Sequence, residues 1–415
     1  MREYVIIGNG SAAVGCIEGI RSRDTESHIT VISEEKHHVY GRPLISYYLE
    51  GKTDLQRMKY RSDDFYEKNG CTVLYGKKAV RINNDSNTVS LDDGTEIKYD
   101  ALCAATGSRP FVPPFKGLDT VEKKFSFMTL DDTLALERAV TPESDVLIVG
   151  AGLIGLKCAE GLSGRVCSIT VCDLAERVLS SILDDPCAAL MQKKLEENGI
   201  KFMLGDSADG FDRNIAHMKS GLDVKFDVLV LAVGVRPNTA LISDIGGMVG
   251  RGITVDESMK TSLENIYAAG DCTECTDFSS METKILAILP NAYMQGHGAG
   301  VNMAGGDERF TNAIPMNSIG FFGLHAMTAG AYYGEADGGE MYEEKTDGKI
   351  KRLFTKDGYL TGCIIIGDVE RAGIYTSLIR ERIPLDSIDF DALKKSPALI
   401  PFSEEYRGKK LGGVI

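Results

Sequence analysis

The sequence predicts an α/β protein with two Rossmann-like dinucleotide-binding units and a smaller α+β segment at its C-terminal end. Three observations carry that expectation. A glycine-rich turn joins a strand-like to a helix-like stretch at the start of the chain, the same pattern is written again near residue 150, and from about residue 311 the pattern changes to strand-like alternation.

The first copy, "EYVIIGNGSAAVGCIEGIRSRDTESHITVISEE", reads as strand, tight turn, helix and strand. Gly8 and Gly10 allow the turn and a close backbone approach to a pyrophosphate, Ser11 opens the helix, and Ala13 takes the small third position where helix and strand pack. Glu34, 26 residues after Gly8, is placed to accept hydrogen bonds from a ribose. The second copy, "SDVLIVGAGLIGLKCAEGLSGRVCSITVCDLAERVL", has Gly150, Gly152 and Gly155 around Leu153 and Ile154, and Asp173 follows 23 residues after Gly150. A single such loop is also compatible with a parallel-sheet turn that binds nothing. Two complete copies point instead to one nucleotide that stays and one that visits, and flavin plus nicotinamide is the usual reason to need both.

Composition sets the class. With 415 residues and 43% apolar content the chain can bury two to three domain cores. No apolar run approaches the ~18 residues of a membrane span, and "MREYVIIG" begins a strand at once, so the expected location is cytoplasmic, with no membrane span. Ten cysteines scattered through apolar segments read as reduced small hydrophobes. A net charge of −14 argues against nucleic acid as a partner, since a phosphate backbone needs a basic face.

Three further motifs occur in order: "YDALCAATGSRP" with Thr106 and Gly107, "DVLVLAVGVRPNT" with Gly234, and "TSLENIYAAGDC" with Gly270 and Asp271. With them the chain resembles the two-dinucleotide-fold flavoproteins, the family of pyridine nucleotide-disulfide oxidoreductases, rubredoxin reductases, NADH oxidases and the flavin portion of nitrite reductases. The resemblance implies FAD at the first loop, in a discontinuous domain of residues 1–110 and 238–310. It places NAD(H) at the second, in an inserted domain of residues 111–237, and makes residues 311–415 an α+β interface domain that covers the flavin and often mediates dimer contacts. Asp271 would accept a hydrogen bond from a ribityl hydroxyl, a role compatible with its also capping a following helix. Asp173 would bond a 2′-hydroxyl and repel a 2′-phosphate, and with Arg177 the one arginine close behind it, NADH is expected over NADPH.

The stretch "HHVYGRPLISYYLEGK" has no cysteine, although disulfide reductases of this family carry a redox pair here and related enzymes carry one. Tyr40 stands at the single-cysteine place, and Arg42 and Ser46 would approach the flavin. Tyr47 and Tyr48 are also compatible with plain packing. Where many relatives pair a glutamate after the second loop with a lysine of the first domain, this chain has Lys157 and Tyr47. Lys157 either reaches solvent or faces the cofactor, where its charge would favour the anionic reduced flavin. "GDCTECTD" holds the one Cys-x-x-Cys, Cys272 and Cys275, redox-active if it opened a helix. Arg407, Lys409 and Lys410 form a small basic cluster, either solvated surface or a dock for an acidic carrier.

The expected activity is that of an FAD-dependent NAD(P)H oxidoreductase. It would pass electrons between NAD(H) and a small iron–sulfur carrier, such as rubredoxin, without a cysteine relay, with Lys157 and Tyr47 at the catalytic centre. The alternatives are an oxidase reducing dioxygen or a small acceptor, and a flavin-binding subunit of a larger redox complex; a homodimer is compatible with each.

Overall fold

The computed structural model describes residues 1–411, with backbone alone for 409–411. In chain order its principal elements are β1 (Glu3–Ile7), α1 (Ser11–Arg21), β2 (His28–Ser33), α2 (Ile45–Leu49), β3 (Cys71–Tyr75), β4 (Ala101–Ala104), α3 (Leu130–Ala139), β5 (Asp145–Val149), α4 (Leu153–Leu162), β6 (Ser168–Asp173), β7 (Ile200–Leu204), β8 (Val228–Leu231), β9 (Ile266–Ala268), β10 (Thr273–Asp277) and α5 (Leu289–Met303). They are followed by β11 (Met316–Phe321), β12 (Leu324–Gly330), β13 (Glu340–Thr346), β14 (Lys349–Lys356), β15 (Tyr359–Ile366) and α6 (Gly373–Arg380).

The chain separates into two compact units. One takes Met1–Ser181, Leu195–Cys275 and Ile285–Phe310; the other takes Ile182–Lys194, Thr276–Lys284 and the chain from Thr311 onward.

The first unit contains two parallel sheets, ordered β9-β4-β1-β2-β3 and β7-β6-β5-β8, the second extended by the two-residue strand Lys124–Phe125. Their central strands are continuous apolar runs, Tyr4–Ile7 and Val146–Val149, and every residue in both runs is buried. That is the signature of strands covered on both faces, and removing each such side chain from water stabilises the fold by about 1.5 to 3 kcal/mol. In the first sheet α1 and α5 close one face, where Ile17, Ile20, Ala299 and Met303 share a core with Ile6 and Val31.

The two halves repeat each other in register. Ile7 pairs with Ile32, and Val149 with Cys172. Gly8 N–H donates to Ile32 O at 2.8 Å, and Gly150 N–H to Cys172 O at 2.8 Å. Chain passes between the halves through two short strands, Ser108–Pro110 and Val235–Pro237, paired antiparallel.

The second unit is built on a five-stranded antiparallel sheet, β11-β12-β15-β14-β13. The expected "KDGYL" hairpin is present: Lys356 pairs with Tyr359 across Asp357 (φ 51°) and Gly358 (φ 78°), the positive angles of a type I′ turn. α6 and the shorter helix Phe390–Lys395 follow the sheet, and Tyr375, Leu378 and Leu393 pack into the same core as Leu353, Cys363 and Ile365.

Candidate functional site

Helices α1 and α4 both begin without a side-chain cap, as α2 and α5 of the same unit also do, but only α1 and α4 follow a glycine loop. The residues before them, Gly10 for α1 and Gly152 for α4, offer no cap, and neither first turn holds an acid. An ordinary helix of the same unit, α3, is capped fully: Thr129 Oγ1 accepts from Asp132 N–H at 3.0 Å while Asp132 Oδ2 accepts from Thr129 N–H at 3.0 Å. Leaving the amides of α1 and α4 uncommitted directs their positive ends at whatever lies before them, which suits a diphosphate.

The glycines fit that role. A Cβ on Gly8 (φ 113°) would lie 2.1 Å from Ala105 O, and one on Gly150 (φ 119°) 2.2 Å from Ala232 O, so each is required by the fold. At Gly10 and Gly152 nothing lies within 4 Å, leaving a cradle that a side chain would fill. Asn9, between the first two glycines, accepts from Tyr66 O–H at 2.5 Å, while its buried Nδ2 has no partner among the described residues. A buried donor left unpaired is costly, and a bound anion would satisfy it. Ala13 is buried in the core, Ser11 opens α1, and Gly155 of α4 approaches Gly150 O, while Leu153 and Ile154 form the first turn of α4.

Asp173 ends β6, and its carboxylate accepts from Ala151 N–H at 2.7 Å and Ala175 N–H at 2.8 Å, tying the glycine loop to the strand end. In the first half the corresponding last residue of β2 is Ser33, so Glu34 lies one place beyond; it is exposed and pairs with Lys78 at 2.9 Å. The residue turned inward is Glu35. Its Oε2 accepts from Tyr40 O–H at 2.6 Å and its Oε1 from Arg42 at 2.7 Å. Tyr40 Oη in turn accepts from Leu130 N–H at 2.9 Å, and Arg42 donates to Met128 O at 2.8 Å. Burial, together with the Glu35 carboxylate, pushes the Tyr40 phenol well above its usual range.

Gly270 (φ 86°) donates its N–H to Gln295 Oε1 at 2.8 Å, which fixes the strand end before Asp271. Burial raises the Asp271 carboxyl, and the Arg42 guanidinium opposes that rise, so the two motifs lie within electrostatic reach of each other. The segment after Asp271 is β10 and not a helix, which removes the capping alternative. It also removes the helix N-terminus that would have activated Cys272 and Cys275. Cys272 lies in the turn just before β10 and Cys275 within the strand, and neither cysteine is in a disulfide. Cys272 is buried, its thiol against Ala104 O at 3.3 Å, and burial pushes it up to about 11.

At the crossover, Thr106 Oγ1 donates to Asn238 O at 2.7 Å and Asn238 Nδ2 to Thr106 O at 2.9 Å, with Asn238 N–H on Gly107 O at 2.9 Å. Gly234 (φ 114°) accepts from Phe111 N–H at 2.9 Å just before the return strand. Ser46 is buried and donates its hydroxyl to Pro43 O at 3.1 Å. Lys157 is not a solvent-reaching side chain: it pairs with the buried Glu160 at 2.6 Å and sits 5.1 Å from the centroid of the Tyr47 ring.

Glu35, Asn9, Gln295, Asn238 and Glu160 escaped the sequence reading. Glu160 alone had a local signal, the i,i+3 spacing to Lys157. The Lys409 and Lys410 side chains of the expected basic cluster lie outside the described residues.

A family model described as pyridine nucleotide-disulphide oxidoreductase matches residues 2–296. The chain belongs to this family. Over 395 residues it is 34% identical to the NADH-dependent phenylglyoxylate dehydrogenase subunit epsilon of Aromatoleum evansii, covering 92% of each chain. Over 390 residues it is 32% identical to the NADH oxidase of Methanocaldococcus jannaschii, covering 88% of this chain and 87% of the relative. The fold matches that of the covalent putidaredoxin reductase–putidaredoxin complex with a TM-score of 0.85 at 23% identity, covering 95% of this chain and 96% of the other. As a member of the pyridine nucleotide-disulphide oxidoreductases, the protein is an NAD(H)-dependent flavin oxidoreductase whose cofactors are FAD and NAD(H). Among the described residues no helix is long and apolar enough to cross a membrane.

Proposed function

We propose that the first glycine loop holds FAD, the second holds NAD(H), and electrons pass from NADH through the flavin to a small iron–sulfur protein without a cysteine relay. The observation that carries this reading is Tyr40. By the resemblance it stands at the single-cysteine place of related enzymes, and its hydroxyl is bonded to Glu35 and Leu130, so the position offers no thiol. FAD, when bound, supplies a centre that accepts two electrons together and releases them singly, which suits exchange between a nicotinamide and a one-electron carrier.

The protein's own groups then have separate tasks. Gly10 and the uncapped amides of α1, with Asn9 Nδ2, would receive the FAD diphosphate, and Asp271 would accept from the ribityl chain. Gly152 and the start of α4 would receive the nicotinamide nucleotide, with Asp173 on its ribose and against a 2′-phosphate. Arg42, held by Glu35, keeps a fixed positive charge beside Asp271. Tyr47 and Lys157 stand where α2 and α4 meet, at the catalytic centre of this reading.

The name of one relative, a reductase captured with putidaredoxin, supports the acceptor class, while that of another, a subunit of an NADH-dependent dehydrogenase, fits a flavin-binding subunit of a larger complex. The name of the Methanocaldococcus relative favours dioxygen as a second reading. Stopped-flow reduction by NADH, followed by mixing with oxidised rubredoxin, with a ferredoxin and with air-saturated buffer, separates them. Reoxidation by an iron–sulfur protein at least tenfold faster than by dioxygen supports the carrier reading; the opposite order overturns it.

A further inference from the structure

Helix α2 continues directly from the Arg42 turn, and α4 springs from the second glycine loop. The two pack closely enough that a Cβ on Gly161 would lie 3.1 Å from Ser46 O and 3.2 Å from Leu49 Cβ. At this junction a lysine, an aromatic ring and a buried carboxylate come together. Lys157 Nζ is 5.1 Å from the Tyr47 ring centroid and 2.6 Å from Glu160 Oε2. Glu160 is 5% exposed and the Lys157 side chain 19%. Nearby, Lys52 is paired with Glu50 and also feels the charges of Glu160 and Tyr47.

A carboxylate this deeply buried is tolerated when a cation is paired with it, and losing that cation is strongly unfavourable. Glu160 therefore fixes Lys157, while the ring face of Tyr47 offers the ammonium a second favourable contact. The lysine is held in one place by two partners from two helices, one on the nicotinamide-loop side and one on the side of Arg42. A fixed cation at such a junction stabilises negative charge that develops nearby, and a fixed anion one turn further along the helix offsets part of that effect.

We propose that Glu160 is a positioning residue: it holds Lys157 against Tyr47 where the two dinucleotide sites meet, and the Lys157–Glu160 pair sets the midpoint potential of the bound flavin. Lys157 raises the potential and eases hydride arrival; Glu160 limits the rise and keeps the ammonium in place. The proposal rests on the reading that the first loop holds FAD and the second NAD(H).

The test is equilibrium titration of the holoprotein's flavin against reference dyes, for the wild type and for K157Q, K157R, E160Q and K157Q/E160Q, with flavin content measured on each. K157Q is expected to lower the potential and to slow reduction by NADH about tenfold, the size of a one-unit electrostatic interaction. E160Q is expected to raise the potential, the double variant to lie between the two, and K157R to return to the wild-type value. Unchanged potentials in fully flavinylated K157Q and E160Q overturn the proposal, because a merely structural pair would alter stability and leave the potential where it was. Should E160Q not fold, K157Q against K157R decides alone, equal potentials overturning it. A wild-type protein that takes up no FAD sinks the underlying reading instead, so the two failures are distinguishable.

Discussion

Ser33 and Asp173 close the second strand of their respective parallel sheets at the same register, one residue past the partners of Ile7 and Val149. The two halves thus share a backbone and differ in charge at this strand end. Asp173 is further committed through two backbone amides. Replacing it by alanine is expected to raise the KM for NADH and to narrow the NADH-over-NADPH preference by about 1 to 3 kcal/mol, or roughly tenfold to a hundredfold in the ratio of kcat/KM values. Steady-state kinetics with both nucleotides check this, and equal efficiencies in the wild type would remove the basis for the expectation.

Gly8 and Gly10 should fail differently. A methyl on Gly8 meets Ala105 O at 2.1 Å, so Gly8→Ala is expected to destabilise the whole chain, whereas Gly10 faces open space and Gly10→Val should fold yet purify colourless. Circular dichroism with flavin absorbance separates the cases. A yellow, fully loaded Gly10→Val protein would take FAD away from the first loop.

Turnover should need no sulfur. The buried Cys272 thiol is pushed up to about 11, and neither Cys272 nor Cys275 is in a disulfide. The Cys272→Ser/Cys275→Ser protein is expected to keep NADH-driven reduction of an artificial acceptor within a few-fold. NADH titration should take up about two electrons per flavin, as a flavin alone accepts. Uptake of four in the wild type, falling to two in the double variant, would reveal a working disulfide.

Asp271 gives the apoprotein a pH signature. Burial raises its carboxyl in the folded state, so the folded state holds a proton that the unfolded chain has released. Stability of the apoprotein should therefore fall as pH rises from the ordinary aspartate value of about 3.9 through the raised one. Asp271→Asn should remove that fall while weakening FAD binding. Urea unfolding of both apoproteins across this range checks the sign; parallel curves would count against it.

The parts legible in the sequence were those whose logic is local. Each glycine loop carries its turn, helix start and strand within some 35 residues, so Gly8 to Ala13 and Gly150 to Asp173 could be read directly. The "KDGYL" turn is the same kind of signal. Glu35 was not legible because its role depends on Tyr40 and Arg42 turning inward and on a helix start at Leu130, and spacing alone put the nearby Glu34 forward instead. Gln295 has no local signature at all, since its partner Gly270 is 25 residues away. The helix start that stood as an alternative after Asp271 is absent for a physical reason: the threonines there favour a strand, which outweighs the aspartate's preference for a helix start.

The paired strands Ser108–Pro110 and Val235–Pro237 have one further consequence. They lie side by side, and Thr106 and Asn238 are clasped by reciprocal hydrogen bonds, so the roughly 120 residues between them leave and rejoin the chain at nearly the same point. The entropic cost of closing such a loop rises only slowly with its length, by about 0.6 kcal/mol for each doubling, so insertions within it are tolerated. Its ends are not its only ties, because Leu130 N–H and Met128 O within it bond Tyr40 and Arg42, so any version exchanged for it has to keep those two contacts if the Tyr40 turn is to hold its shape.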